Sequence, residues 1–283
     1  MNIHVIVDSC CDLPEYIKKT YHPDSVPLTV RVTGSKDYRD DGSVDIAELI
    51  ADMTHSKQGA TSACPSPDDF ASHVKNYDEC FILTLSSKLS GSYNTACVAA
   101  QLIQEEYPEK KVHVFDSKTA SAGEVHIALF LFEKIDEGLS FEEIIPLVEE
   151  FISRQQTLFV LEDLGNFIKN GRIGKASGIL ASVLSLCPVM GDDGNGEIRL
   201  VAKVRGIRNA LHKLVDIVAE QTADKASRSL RLVLAHCNCP VRAGELRLEL
   251  MEKCQALRDV IIVPTGALSS MYANNGGIIV AYA

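Results

Sequence analysis

Phe81-Ile82-Leu83-Thr84-Leu85-Ser86-Ser87-Lys88-Leu89-Ser90-Gly91-Ser92-Tyr93 is the stretch that decides the fold. A short apolar run of the buried-strand kind stops on hydroxyl-bearing and small residues, and a helix-like pattern, Ser92–Glu106, follows at once. The same change of period occurs at Val7-Asp8-Ser9-Cys10-Cys11-Asp12, at Ala60-Thr61-Ser62-Ala63-Cys64-Pro65-Ser66-Pro67 and at Phe115-Asp116-Ser117. In open α/β sheets such strand-to-helix loops gather at one edge, where ligands bind. Helix N-termini there carry unpaired N–H groups and a partial positive charge, which suits an anion. No matching set of acid–base catalysts accompanies the hydroxyls. The pattern reads as a holder of an acidic ligand more than as a catalyst.

Working outward, Ile3–Val7, Ser25–Thr33 and Val112–Phe115 read as further strands. Helices are expected over Asp45–Met53, with Asp45 as N-cap, from Pro67 onward, and over Ser121–Glu137 and Phe141–Arg154. Strands alternating with helices argue for a parallel sheet covered on both faces. Beyond Leu158–Leu161 the character changes. Pro188-Val189-Met190, Asp193-Gly194-Asn195-Gly196 and Ile198–Val204 spell a hairpin around a glycine-rich turn. A helix Gly206–Gln221, strand Leu230–Ala235, helix Pro240–Ala256, strand Val260–Val263 and a terminal strand Gly277–Ala281 complete the chain. The expected architecture is α/β: an N-terminal parallel-sheet domain over 1–155 bearing the hydroxyl loops, then a smaller C-terminal α+β domain over 156–283.

Bulk properties narrow the function. The chain has 283 residues, 46% of them hydrophobic, and a net charge of −10, which argues against nucleic acid or an anionic membrane surface as a partner. No run reaches the roughly 18–20 apolar residues of a membrane helix, and no secretory leader is visible. Nine cysteines without a CxxC pair fit reduced, mostly buried thiols, so a cytoplasmic location is expected. His236-Cys237-Asn238-Cys239 holds soft metal ligands but lacks the second pair that structural zinc requires. It reads as a strand end.

An enzyme remains the alternative reading. Ser90 sits at a strand-to-helix turn, but Leu89-Ser90-Gly91-Ser92-Tyr93 lacks the leading glycine of a nucleophile elbow. Several histidines (His4, His113, His126, His212) fall inside expected elements. Asp8, Asp12 and Asp116 lie at strand ends, where they either hold Mg²⁺ for phosphoryl transfer or cap neighbouring helices; capping is favoured. Neither a P-loop nor G-x-G-x-x-G is present. Arg172, directly after a helix-ending Gly171, and Arg205, between a strand and a helix, are the two basic features placed to meet an anion or a partner.

Taken in order, Val7-Asp8-Ser9 with Asp12-Leu13, the Thr61-Ser62 to Pro67 run, Leu85 to Tyr93, Phe115-Asp116-Ser117, Gly171-Arg172-Ile173 and Lys203-Val204-Arg205-Gly206 resemble the DegV family across nearly the whole chain. The resemblance implies a long-chain fatty acid bound between the two domains, with no cofactor, no metal and no catalysis by the chain itself. It also implies a role in lipid transport, fatty acid metabolism or presentation of the carboxyl group to a fatty acid kinase. Carried over by motif, Thr61, Ser90 and the N–H of Gly91 hold the carboxylate. Ser62, Ser92, Arg172, Arg205 and Tyr272 are further head-group or partner contacts. Tyr272 stands where the family often has histidine, and a phenol donates a hydrogen bond without becoming cationic. The family's usual Gln-Pro-Ser after Thr-Ser is here Ala63-Cys64-Pro65-Ser66.

The physics of such a ligand is simple. Burying about 14 methylenes gains on the order of 11 kcal/mol before costs, at about 0.8 kcal/mol per CH₂. Hydrogen bonds to a carboxylate add roughly 1.5–3 kcal/mol each. The tail carries affinity and the hydroxyl loops carry orientation. The apolar run Ala176–Leu186, with Phe159 and Phe167, is the expected tunnel wall in the C-terminal domain.

Overall fold

Side-chain parity along two neighbouring strands shows how the N-terminal half is layered. The computed structural model describes residues 3–56, 58–173, 186–227 and 229–283. Strands β1 (His4–Asp8), β2 (Asp24–Val26), β6 (Glu79–Thr84) and β7 (Lys111–Asp116) form an all-parallel sheet in the order β2-β1-β6-β7. Ile6, Cys80 and Ile82 point to one face, against Phe70 and Val74 of α3 (Pro67–Val74) and Ala96, Ala99 and Ile103 of α4 (Ser92–Glu106). Val5, Val7, Phe81 and Leu83 point to the other, against α5 (Ala122–Asp136) and α6 (Phe141–Arg154). A strand covered on both faces has to be apolar at every position, which is why Phe81–Leu83 shows no alternation.

Helix α5 is apolar around most of its circumference because a second sheet lies on its far side. That sheet is mixed, in the order β10-β9-β8-β13-β11-β12. It contains β8 (Gln156–Val160), β9 (Val189–Asp192), β10 (Ile198–Ala202), β11 (Leu230–His236), β12 (Leu257–Pro264) and β13 (Ile278–Tyr282). Val233, Ala235 and Ala281 join the core around α5, while Leu232, Leu234 and Val280 face α8 (Ile207–Gln221) and α9 (Pro240–Lys253). The result is five layers, helices alternating with sheets. All strands of the mixed sheet lie after residue 155, but the two halves share the α5 core.

The hairpin read around Gly194 and Gly196 is present as antiparallel β9 and β10. Three expectations change. Ser25–Thr33 is two strands, not one: the chain leaves the parallel sheet after Val26, and β3 (Thr29–Val32) opens a separate antiparallel sheet with β4 (Asp37–Arg39) and β5 (Ala60–Ala63). Pro27, which has no N–H to give a ladder, marks the break. The Thr61-Ser62 segment is β5 itself, not a loop. Helix α10 (Ala267–Ala273), absent from the sequence reading, packs against β3 and α2 (Ile46–His55), the latter capped by Asp45 as read. Of the expected tunnel wall Ala176–Leu186, only Leu186 lies within the described residues.

Candidate functional site

A largely apolar cavity lies where the two halves meet. One wall comes from strands. Thr157, Phe159 and Leu161 of β8 and its exit point inward at every second position, joined by Gly191 of β9 and Ile279 of β13. The opposite side comes from the β6–α4 loop (Leu85, Leu89, Ser90), from Leu28 and Ser62, and from Leu268, Ser269 and Tyr272 of α10. Phe167, on α7 (Gly165–Lys169), stacks between Phe159 and Tyr272 with ring centroids 5.7 and 4.6 Å away. Most of the surface is hydrocarbon, and Lys118, Arg172, Asp192 and Glu197 are its charged lining residues.

The β6–α4 loop is fixed by carboxylates at the ends of the neighbouring strands. Asp8 accepts the N–H groups of Leu85 (3.0 Å) and Cys10 (3.1 Å). Asp116 accepts those of Ser87 (3.0 Å) and Lys118 (3.1 Å). Both aspartates are therefore occupied as loop caps, and no group of three metal-ligand side chains exists among the described residues. The loop closes as Ser90 N–H donates to Ser86 O at 3.0 Å, and α4 starts after Gly91. Ser90 Oγ accepts the Ser92 N–H at 3.2 Å and lies 3.1 Å from the buried Ser92 Oγ. Either hydroxyl can be the donor in that pair, and Ser92 also hydrogen-bonds Asp8. No histidine hydrogen-bonds Ser90 among the described residues; His126 is buried against Gln155, 3.1 Å away, and burial lowers its pKa to about 4.

Strand β5 supplies the second hydroxyl, and its parity decides which one. Ser62 pairs with Val30, whose side chain is fully buried; Thr61 pairs with Arg31, which points to solvent. Cross-strand partners share a face. Ser62 therefore faces the cavity while Thr61 is exposed on the other side and does not line it. Cys64 lies over Gly91, where an added Cβ would come within 3.0 Å of its Sγ, so the two hydroxyl-bearing segments meet at one mouth.

Arg172 reaches the same mouth. Gly171, with φ +70°, turns the chain after α7, and Arg172 Nε donates to Leu89 O at 3.0 Å while Nη1 donates to Asn170 O. Asn170 Nδ2 in turn donates to Ala60 O of β5 at 2.9 Å. The guanidinium thus joins β5 to the β6–α4 loop, and it pairs with no carboxylate among the described residues. Gly91 is exposed at the rim. Arg205 is not at the cavity: it is exposed ahead of α8, where its carbonyl accepts Asn209 Nδ2.

The sequence reading passed over the anchoring of α10. Asp12 accepts the Gly266 N–H at 2.7 Å and the Ser121 hydroxyl at 2.5 Å. Asp40 accepts the N–H groups of Ala267 (2.7 Å) and Leu268 (3.1 Å). Burial pushes Asp8 and Asp12 up to about 7, partly offset by these hydrogen bonds, and lifts Asp40 as well. Glu124, fully buried beside Asp8, has no hydrogen-bond partner for either oxygen by distance and angle among the described residues, and burial holds it well above the usual carboxylate range.

The family model described as an uncharacterised protein of the DegV family matches residues 2–283. This chain belongs to the DegV family. A DegV domain-containing protein of Streptococcus pneumoniae is 33% identical over 100% of this chain and 99% of its own length. A DegV-family crystal structure from Ruminococcus gnavus, refined with vaccenic acid, has a TM-score of 0.91 at 38% identity and 99% coverage of both chains. The Streptococcus pneumoniae Fatty Acid Kinase B3 protein loaded with linoleic acid has a TM-score of 0.89 at 32% identity, covering 100% of this chain and 99% of that one. As a DegV protein the chain has the α/β architecture of these neighbours, and no helix among the described residues is long and apolar enough to cross a membrane.

Proposed function

We propose that this DegV protein binds a long-chain fatty acid, with the acyl chain along the strand wall and the carboxylate at the mouth formed by Ser62, Ser90 and Arg172. The observation that carries the reading is the pairing of one large apolar cavity with hydroxyls at a single mouth, Ser62 and Ser90, on two independent elements. Phe159, Leu161, Phe167 and Ile279 bury methylenes at about 0.8 kcal/mol each, so the chain sets affinity. The hydroxyls and the guanidinium select a carboxylate over an uncharged head. The N–H of Gly91, at the start of α4, is a further donor at the rim.

The neighbours solved with vaccenic and linoleic acids support the ligand class, and the Fatty Acid Kinase B3 neighbour supports a carrier that presents its carboxyl group to a partner kinase. Gly91 and Thr61 are exposed beside the mouth, where such a partner would approach. The test is ¹³C NMR with carboxyl-labelled oleic acid on delipidated protein. One shifted, narrow carboxylate resonance is expected, moved by Ser62→Ala and by Ser90→Ala but not by Thr61→Val. An unchanged resonance in both serine variants would remove the head-group assignment.

A further inference from the structure

Two hydroxyls sit deep in the acyl wall, where a plain hydrocarbon chain has no use for them. Thr119 and Thr157 both line the cavity, with only 5% and 8% of their surface exposed, and their Oγ1 atoms are 2.8 Å apart. Each hydroxyl carries one proton and two lone pairs. A single hydrogen bond between the two consumes one proton, and neither Oγ1 has another partner among the described residues. One O–H donor and several lone pairs of the pair are therefore left without a protein partner among the described residues.

The other buried hydroxyls of the lining differ: Ser121 spends its proton on Asp12, and Ser269 hydrogen-bonds the same carboxylate. The pair is also held in place by its surroundings. The Thr157 N–H is tied to Asp192 at 2.6 Å, and Thr119 packs so closely on Gly123 that a Cβ there would fall 2.1 Å from its Oγ1. The pair shares no hydrogen bond with Ser62, Ser90 or Arg172. Along β8, Thr157 lies about 7 Å beyond Phe159 and about 13 Å from Leu161, at about 3.3 Å per residue. A small polar crevice lined by Ser117, Gln155 and Asp192 shares both threonines.

We propose that Thr119 and Thr157 form a second polar subsite that takes an oxygen carried on the acyl chain itself, so that the preferred ligands are oxygenated fatty acids bearing a hydroxyl or keto group away from the carboxylate. This rests on the fatty-acid reading of the cavity. An unoxygenated chain leaves the donor unsatisfied, whereas a chain hydroxyl at the right carbon both accepts from the pair and donates back to it.

The test is competition binding on the delipidated full-length chain, using stearic acid and the monohydroxystearic acids with the hydroxyl at successive carbons. At least one internal isomer is expected to bind more tightly than stearic acid. In the Thr119→Val, Thr157→Val double variant that isomer should weaken about threefold to tenfold relative to stearic acid. Thr157→Ser, which keeps the hydroxyl, should retain the preference. Thermal melts of each variant separate loss of fold from loss of the subsite. If no isomer binds more tightly than stearic acid, or if valine weakens both ligand types alike, the subsite is overturned while fatty acid binding stands. If the wild type takes up no stearic acid, both readings fall together.

Discussion

The mouth of the cavity and its deep wall use the same few residue types in opposite ways. At the mouth, Ser62 and Ser90 come from different elements, brought together where Cys64 lies over Gly91 and braced by Arg172. Along the wall, Thr157, Phe159 and Leu161 are successive inward positions of one strand run, and their places follow from the pleat alone. A loop can aim a donor at a ligand because its own backbone is satisfied elsewhere, here by Asp8 and Asp116. A strand offers a smooth apolar surface whose shape is set by the sheet. On the proposed reading, orientation belongs to the mouth and affinity to the wall, and the two can be broken separately.

The largest effect should come from filling the wall's path. Ala120→Phe places a ring in the cavity lining and is expected to weaken fatty acid binding more than a hundredfold with little change in melting temperature. Calorimetric titration with oleic acid would show it, and retained affinity would mean that the chain runs elsewhere. Next, Ser62→Ala and Ser90→Ala should each weaken an acid by about tenfold to a hundredfold, from roughly 1.5–3 kcal/mol per charged hydrogen bond. The same variants should leave the corresponding long-chain alcohol nearly unaffected, and Thr61→Val should change neither. Equal losses for acid and alcohol would merge mouth and wall into one site. Lengthening a saturated acid should then tighten binding about fourfold per methylene until the cavity is full, from about 0.8 kcal/mol per CH₂. A flat length series would deny the wall its role.

The smallest effect is on stability. Asp8 and Asp12 titrate near pH 7 in the folded chain, against about 3.8 for an unperturbed aspartate. The folded state therefore binds more protons than the unfolded one through this window, and stability should rise as pH falls from 8.5 toward 6.5. Below that, His126, with its pKa lowered to about 4, works in the opposite sense, losing stability as pH falls from about 6.5 toward 4. Melting temperatures across the upper window check the sign, and a steady fall on acidification there would contradict it.

The parallel sheet was readable because Phe81–Leu83 is apolar at every position and the hydroxyl run after it marks the strand's end. The β6–α4 loop and Ser90 followed directly. Thr61 and Ser62 were harder, since adjacent residues of a strand face opposite ways and a single step of register chooses between cavity and solvent. The division of Ser25–Thr33 was written in Pro27, but the destination of β3 was not: it pairs with β5, about 30 residues away, and nothing local says so. Helix α10 is seven residues long, too short for a helical period to declare itself. Its start is fixed by Asp40 and Asp12, 227 and 254 positions distant from the N–H groups they accept. Arg172 was legible from the glycine before it. The exposure of Arg205 was not, because a strand-to-helix junction looks the same at the cavity and away from it.

Native mass spectrometry of the purified chain, before and after organic extraction, tests the central claim most directly. The account predicts a mass increment equal to one long-chain fatty acid, lost on extraction and restored at one equivalent by added oleic acid. A chain that carries no such increment and takes up no added acid would contradict it.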